Sequence, residues 1–113
     1  MREFPDILAD FRKAAKEAKP KTFEEATFIT FAKCAELMIS KQHDYGHRNI
    51  TDFGEFGVLV RVNDKIARLK NLFKNNRKPA NEKVEDSWQD TANYSAIALM
   101  LRDDTFLLPL DVE

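Results

Sequence analysis

The chain is poor in the residues that cross-link or punctuate other folds: its 113 residues hold one cysteine, three glycines, four prolines and two histidines. A single thiol, Cys34, forms no disulfide within the chain. His43 and His47 are separated by Gly46 and have no third His or Cys close by, so they do not make a zinc ligand set. Scarce glycine and proline, with almost no alternating apolar and polar runs, argue against a sheet. No apolar run approaches the roughly 20 residues that span a bilayer. The start Met1-Arg2-Glu3-Phe4-Pro5-Asp6 lacks the basic-then-apolar plan of a signal peptide, so a cytoplasmic, reducing location is expected. Eighteen basic against nineteen acidic residues give a net charge of −1. No overall excess of positive charge therefore draws the chain to nucleic acid or anionic lipid. A Gly-rich phosphate loop, a Ser-His-Asp order and a Cys-His nucleophile are also missing.

What is present suits helices. With 43% hydrophobic and 33% charged residues, the chain has enough apolar surface for a packed core, and its length is that of one domain. The expectation is a single all-α domain over 1–113, a small antiparallel bundle of four to five helices. Its core is expected over about 22–102, with an N-terminal helix in 1–20 and a tail at 103–113. The first helix is predicted from Pro5 to about Ala18, with Ile7, Leu8, Phe11, Ala14, Ala15 and Ala18 at helical spacing and Pro20 beyond. Thr22-Phe23-Glu24-Glu25 is a capping box that opens a second helix running to about Gln42 and ended by Gly46. Its apolar stripe is Phe28, Phe31, Ala35 and Met38. A third helix is predicted over Phe56 to Lys74, with Val62, Ile66, Leu69 and Phe73 on one side and Arg61, Asp64, Arg68 and Asn71 opposite. A fourth runs from about Val84 to Leu101. Its second half, Tyr94 to Leu101, is apolar nearly all round, the pattern of a helix buried on most sides. Trp88, on the side of Val84, Ala92 and Leu99, reads as structural. The apolar tail Leu107-Leu108-Pro109-Leu110 is expected to pack on the bundle or on a neighbouring subunit.

The chemistry concentrates at the head of the fourth helix, where Asp86, Asp90 and Asn93 fall within about 60° of arc. Two carboxylates one turn apart repel each other, so the pair calls for a cation or a basic partner. Mg²⁺ binds through one or two carboxylates plus water and phosphate oxygens, and the i, i+4 spacing delivers such a pair. The competing reading is that acidic residues favour a helix's first turn and stay exposed there. Arg61, Lys65 and Arg68 share a side of the third helix and are spaced to clamp a triphosphate. The alternative is an ordinary surface ion pair between Asp64 and Arg68. The basic run Lys70, Lys74, Arg77, Lys78 and Lys83 lacks interleaved aromatics and is a weak nucleic-acid signal.

Three segments together resemble a known family. They are Lys41-x-x-Asp44-Tyr45-Gly46, then Val60-Arg61-Val62-x-Asp64-Lys65-Ile66-x-Arg68-Leu69-x-Asn71-Leu72, then Glu85-Asp86-x-x-x-Asp90-Thr91-x-Asn93-Tyr94. The pattern looks like the phage and bacterial nucleotide modification associated domain 1 family, which in turn resembles the all-α nucleoside triphosphate pyrophosphatases of the MazG and dimeric dUTPase type. The resemblance implies a helical bundle that forms homo-oligomers and holds a nucleotide and Mg²⁺ between helices, in the host cytoplasm for a phage-encoded chain. The pyrophosphatases carry Glu-x-x-Glu on one helix and Glu-x-x-Asp on another. Glu85, Asp86 and Asp90 stand for the later motif, whereas Asp64-Lys65-x-x-Arg68 stands where the earlier acidic pair is expected. On this reading Asp86 and Asp90 are catalytic and hold Mg²⁺, with Asp44 or Asp64 completing the shell and Glu36 as another oxygen source. Arg61, Lys65 and Arg68 neutralise phosphate, and Asn93 and Tyr45 read sugar or base. Two functions follow from it: a Mg²⁺-dependent (deoxy)nucleoside triphosphate pyrophosphohydrolase in nucleotide metabolism or DNA modification, or a non-catalytic module that sequesters a nucleotide or docks on another enzyme. A helical interaction protein without a ligand is the third option.

Overall fold

The computed structural model describes residues 4–16, 19–80 and 82–110. Among them are five helices and no strand, as the sequence predicts: α1 (Phe4–Ala15), α2 (Phe23–Tyr45), α3 (Arg48–Thr51), α4 (Gly54–Lys74) and α5 (Val84–Arg102). They fall into two compact units, one of Met1–Gly46 with Leu108–Glu113 and one of His47–Leu107. No helix among the described residues is long and apolar enough to cross a membrane.

In the first unit α1 packs on α2. Leu8 and Ala14 are buried, Ile7 and Phe11 half-buried, and Arg12 Nε lies 3.4 Å from Glu36 Oε1 across the two helices. The helix ends at Ala15, short of the expected Ala18, which lies outside the described residues. Thr22 caps α2 as its sequence predicts: its hydroxyl accepts the Glu25 N–H at 3.1 Å. The Glu25 carboxylate reaches one residue further back than a standard box and accepts the Lys21 N–H at 2.7 Å. α2 runs to Tyr45, past the expected Gln42, and Gly46 stops it at φ 72° and ψ −174°, a backbone region essentially reserved for glycine. There its N–H bonds the Gln42 carbonyl at 2.8 Å while the Gln42 amide donates to the Gly46 carbonyl at 2.9 Å.

The predicted stripe of α2 is corrected by the structure. Phe28 and Phe31 are exposed, Ala35 and Met38 half-buried, and Ala32 is the residue at the core. α1 has only three turns and its buried residues include Ala14, as α2's is Ala32. Helices that meet through alanines approach closely and cover a narrow strip, which leaves large side chains to either side in solvent.

In the second unit α4 and α5 form an antiparallel hairpin: Glu55 meets Arg102 at one end, with both Arg102 Nε and Nη2 donating to Glu55 Oε2 at 3.0 Å, and Arg68 meets Ser87 at the other. The short α3, for which the sequence reading predicted no helix, buries Ile50 and packs on α4. Val58 and Leu69 of α4 and Ser87 and Ile97 of α5 are buried. Of the tail, Phe106 is buried with its ring 5.1 Å from that of His47, edge to face, while Leu107 and Leu108 are exposed. Two expectations fail in this unit. The second half of α5 is not covered on most sides, since Leu99 is 64% exposed, and Trp88 is 53% exposed rather than part of a core. On α4, Val62 and Ile66 are half-buried and Phe73 is exposed. A single neighbouring helix covers a single side, so an all-apolar helix in a hairpin keeps an open flank.

Candidate functional site

The polar side of the α4/α5 hairpin is built by three cations at i, i+4 and i+7 of α4, a spacing that puts Arg61, Lys65 and Arg68 on one face. All three are half-buried, and each reaches away from α4. Arg61 Nη2 donates to the Asn49 carbonyl at 3.0 Å, and its guanidinium carbon sits 6.0 Å from the centre of the Tyr94 ring, at the outer limit of a cation–π contact. Lys65 Nζ lies 2.9 Å from Asp90 Oδ2 and 3.7 Å from Glu82 Oε2. Arg68 Nη1 donates to Ser87 Oγ at 2.6 Å, and its Nη2 donates to the Glu82 carbonyl. Ser87 is fully buried, and its own carbonyl accepts the Thr91 hydroxyl at 2.8 Å.

The first and second predicted acidic residues have different fates. Asp86 closes the start of α5, its Oδ2 accepting the Lys83 N–H at 3.2 Å, the back-bond that an acidic third residue makes at a helix start. Asp90, one turn later, faces α4 and is neutralised by Lys65, with only 12% of its side chain exposed. The basic partner that two neighbouring carboxylates require is therefore a lysine of the adjacent helix. That contact holds the Lys65 ammonium above the ordinary lysine range: the hydrogen bond to Asp90 raises its pKa most, burial opposes, and the charges of Asp90 and Glu82 add to the rise.

A raised lysine pKa means that the folded chain holds this proton more tightly than the unfolded chain. The pair's stabilisation is thus complete below the ordinary lysine value of 10.5 and disappears as pH climbs through the folded value above it. Urea unfolding of the wild type between pH 8 and 12 should show a loss of stability at the alkaline end that is smaller in Lys65→Met. Identical alkaline slopes in the two proteins would disprove the linkage.

The remaining expected site residues are dispersed. Asn93 is half-buried on α5, one turn beyond Asp90, and Asp64 is exposed on α4. Asp44 and Tyr45 occupy the last turn of α2 in the first unit and are exposed, as to a third of its side chain is Glu36, which pairs with Arg12. Among the described residues no three His, Cys, Asp or Glu side chains come together as a metal-ligand group. Asp86, engaged with the start of α5, and Asp90, engaged with Lys65, are two carboxylates, the number Mg²⁺ takes when it arrives with phosphate oxygens and water, and do not make an all-protein cage. Arg68 is engaged within the hairpin, where it ties α4 to the start of α5 and so positions Asp86 and Asp90.

Four contributors went unnoticed in the sequence. Ser87 and the Glu82 carbonyl receive Arg68, the Asn49 carbonyl receives Arg61, and Tyr94 lies beside Arg61. Among the described residues, Asn49 Oδ1 is a buried acceptor with no hydrogen-bond partner. None of the four carried a usable signal, and Ser87 does not stand out in a helix that also holds Ser95 and three alanines.

Comparison with known proteins bears on this hairpin. Residues 41–101, more than half of the chain, match a family described as nucleotide modification associated domain 1. No curated protein and no solved structure matches the chain.

Proposed function

The chain belongs to the nucleotide modification associated domain 1 family, and from that premise we propose that it binds a nucleoside triphosphate along the polar side of the α4/α5 hairpin and, with Mg²⁺, hydrolyses it to nucleoside monophosphate and pyrophosphate. The observation that carries this reading is the Lys65–Asp90 pair, at 2.9 Å, flanked along α4 by Arg61 and Arg68. A triphosphate oxygen is a better partner for Lys65 than a shared carboxylate, because it brings more charge and more acceptor atoms. Lys65 then turns to phosphate and Asp90 is released beside it.

Arg61 neutralises further phosphate charge, and Asn93, one turn from Asp90, is placed to donate to a sugar hydroxyl or a base edge. Asp86 and Asp90 are the residues that would hold Mg²⁺, which supplies charge neutralisation and a more acidic bound water. The released Asp90 carboxylate also offers a proton acceptor. In the overall reaction a water oxygen bonds to the α-phosphorus, the α–β bridging bond breaks, and the electron pair leaves with pyrophosphate.

A second reading, a module that holds a nucleotide without turning it over, draws on the same pair: a carboxylate already neutralised by lysine, with no metal-ligand group of three His, Cys, Asp or Glu among the described residues, suits binding of an anion better than of a cation. Incubating the chain with each canonical and modified triphosphate and Mg²⁺, and separating the products by ion exchange, decides between them. Turnover to monophosphate and pyrophosphate that is lost in Asp90→Ala supports hydrolysis. Calorimetric binding without turnover supports sequestration, and neither binding nor turnover for any triphosphate disproves both.

A further inference from the structure

The end of the hairpin where α4 turns into α5 carries two exposed aromatic rings among cations. Lys70 and Lys74 lie one turn apart at the end of α4, with Phe73 between them in the chain; Arg77 and Lys78 follow in the connection, and Lys83 leads into α5. In chain order this basic run is a weak nucleic-acid signal, but the fold adds Trp88 of α5 to it. Phe73 is 66% and Trp88 53% exposed, and both line one groove of about 450 Å³ together with Ile66, Leu69, Lys70 and Lys74. Among the described residues none of the five cations makes an ion pair. Large rings left in solvent beside charge that the chain does not neutralise mark an interaction site.

We propose that this groove binds a single-stranded nucleic acid, whose bases stack on Phe73 and Trp88 while Lys70, Lys74, Arg77, Lys78 and Lys83 hold its phosphates. The site goes beyond the triphosphate reading and does not rest on it. Phe73 lies about 140° around α4 from Arg68, and Trp88 about 160° around α5 from Asp90, at 100° per residue, so the groove and the Lys65–Asp90 pair occupy different sides of the hairpin. Both halves of the groove select this ligand. A strand carries a negative charge at every nucleotide, and cations that meet its phosphates gain by releasing the counterions held there. Its bases present flat π faces whatever their sequence, and aromatic side chains in a basic groove are the means by which single strands are held. A duplex would satisfy the cations but keeps its base faces inside the stack, leaving both rings in water.

Nearby carboxylates leave the cations available. Glu82 Oε2 lies 3.7 Å from Lys65 Nζ, and Asp86 Oδ2 accepts the Lys83 N–H, so each is engaged in holding the hairpin. Glu85, exposed three residues before Trp88, is an opposing charge, one carboxylate against five cations. The net charge of −1 for the whole chain thus conceals a local excess of positive charge, and it is the local field that draws a polyanion.

Trp88 is the chain's one tryptophan, so its fluorescence reports on this groove. Titrating the full chain, without Mg²⁺, with an oligothymidylate of about 12 nucleotides, within the usual span of a single-strand site, should quench that emission and raise the anisotropy of a dye on the strand. The logarithm of the binding constant should fall with the logarithm of salt concentration at a slope of about −2 to −3.5, roughly 0.7 for each of three to five phosphate contacts, and Lys74→Ala/Arg77→Ala should make it shallower by about 1.4. By anisotropy, Trp88→Ala and Phe73→Ala should each weaken binding about 5- to 150-fold, the range for one stacked base, and Trp88→Phe should keep most of the affinity. Lys65→Met, which removes the triphosphate partner, should bind the strand as the wild type does, so that either reading can fail alone. Oligouridylate in a parallel titration tells RNA from DNA, and preference for either polymer supports the site. Absence of quenching and binding at low salt overturns the proposal. So does equal affinity for a duplex or for polyglutamate, which would leave only a general attraction of cations for polyanions, and so does loss of strand binding in Lys65→Met, which would place the strand on the triphosphate side.

Discussion

Lys65→Met is expected to abolish measurable triphosphate binding and to lower the unfolding free energy by about 1–3 kcal/mol, the cost of taking the charged hydrogen-bond donor from a mostly buried carboxylate. The group that loses this cation is Asp90, whose side chain is 12% exposed and whose Oδ2 lies 2.9 Å from Lys65 Nζ. The informative comparison is with Lys65→Met/Asp90→Leu. Replacing both members of a desolvated ion pair by apolar residues of similar size removes the charge itself and is often neutral. The double variant should therefore unfold at nearly the wild-type urea midpoint while remaining unable to bind a non-hydrolysable triphosphate in calorimetry. Recovery of stability without recovery of binding separates what the pair does for the hairpin from what it does for a ligand. Wild-type affinity in the double variant would remove the pair from the site altogether.

Leu69→Ala should be the most damaging single truncation on α4, at about 2–5 kcal/mol, as expected for deleting a fully buried leucine and leaving a cavity against α5. Leu69 is 3% exposed, whereas Leu59, ten residues earlier on the same helix, is 60% exposed. Leu59→Ala should cost only a fraction of that. At roughly 4–8 °C per kcal/mol for a domain of this size, thermal unfolding would separate the two variants by about 5 °C or more. Equal destabilisation would mean that the core of the hairpin lies elsewhere than between Leu69 and α5.

The sequence carried the local decisions well. Thr22 announces the start of α2, Gly46 its end, and the bounds of α4 and α5 follow from apolar periodicity and the polar stretch between them. These are short-range matters of capping, backbone freedom and 3.6-residue spacing. The family was legible for a related reason, since its residues recur at fixed helical intervals. Registration between helices was not legible. Nothing in the spacing of Lys65 on one helix and Asp90 on another says that they meet, because that depends on how α4 slides along α5. The same applies to Arg68, whose sequence neighbour Asp64 suggested a surface pair, while the structure turns its guanidinium to Ser87 and the Glu82 carbonyl. Burial was misjudged where apolar residues outnumber the surface that can cover them. Phe28, Phe31, Trp88 and Leu99 have the character of core residues, but how many helices surround each one is a tertiary property that periodicity does not contain.

The Lys65–Asp90 contact also constrains how this chain and its relatives can diverge. If the two side chains matter only to one another, descent is free to exchange them together, by swapping the charges or by turning both apolar, and forbids a change at one position alone. If they also receive a phosphate, no exchange is neutral, and both positions stay fixed while the residues around them drift. Joint variation and joint invariance are different historical records of the same 2.9 Å contact.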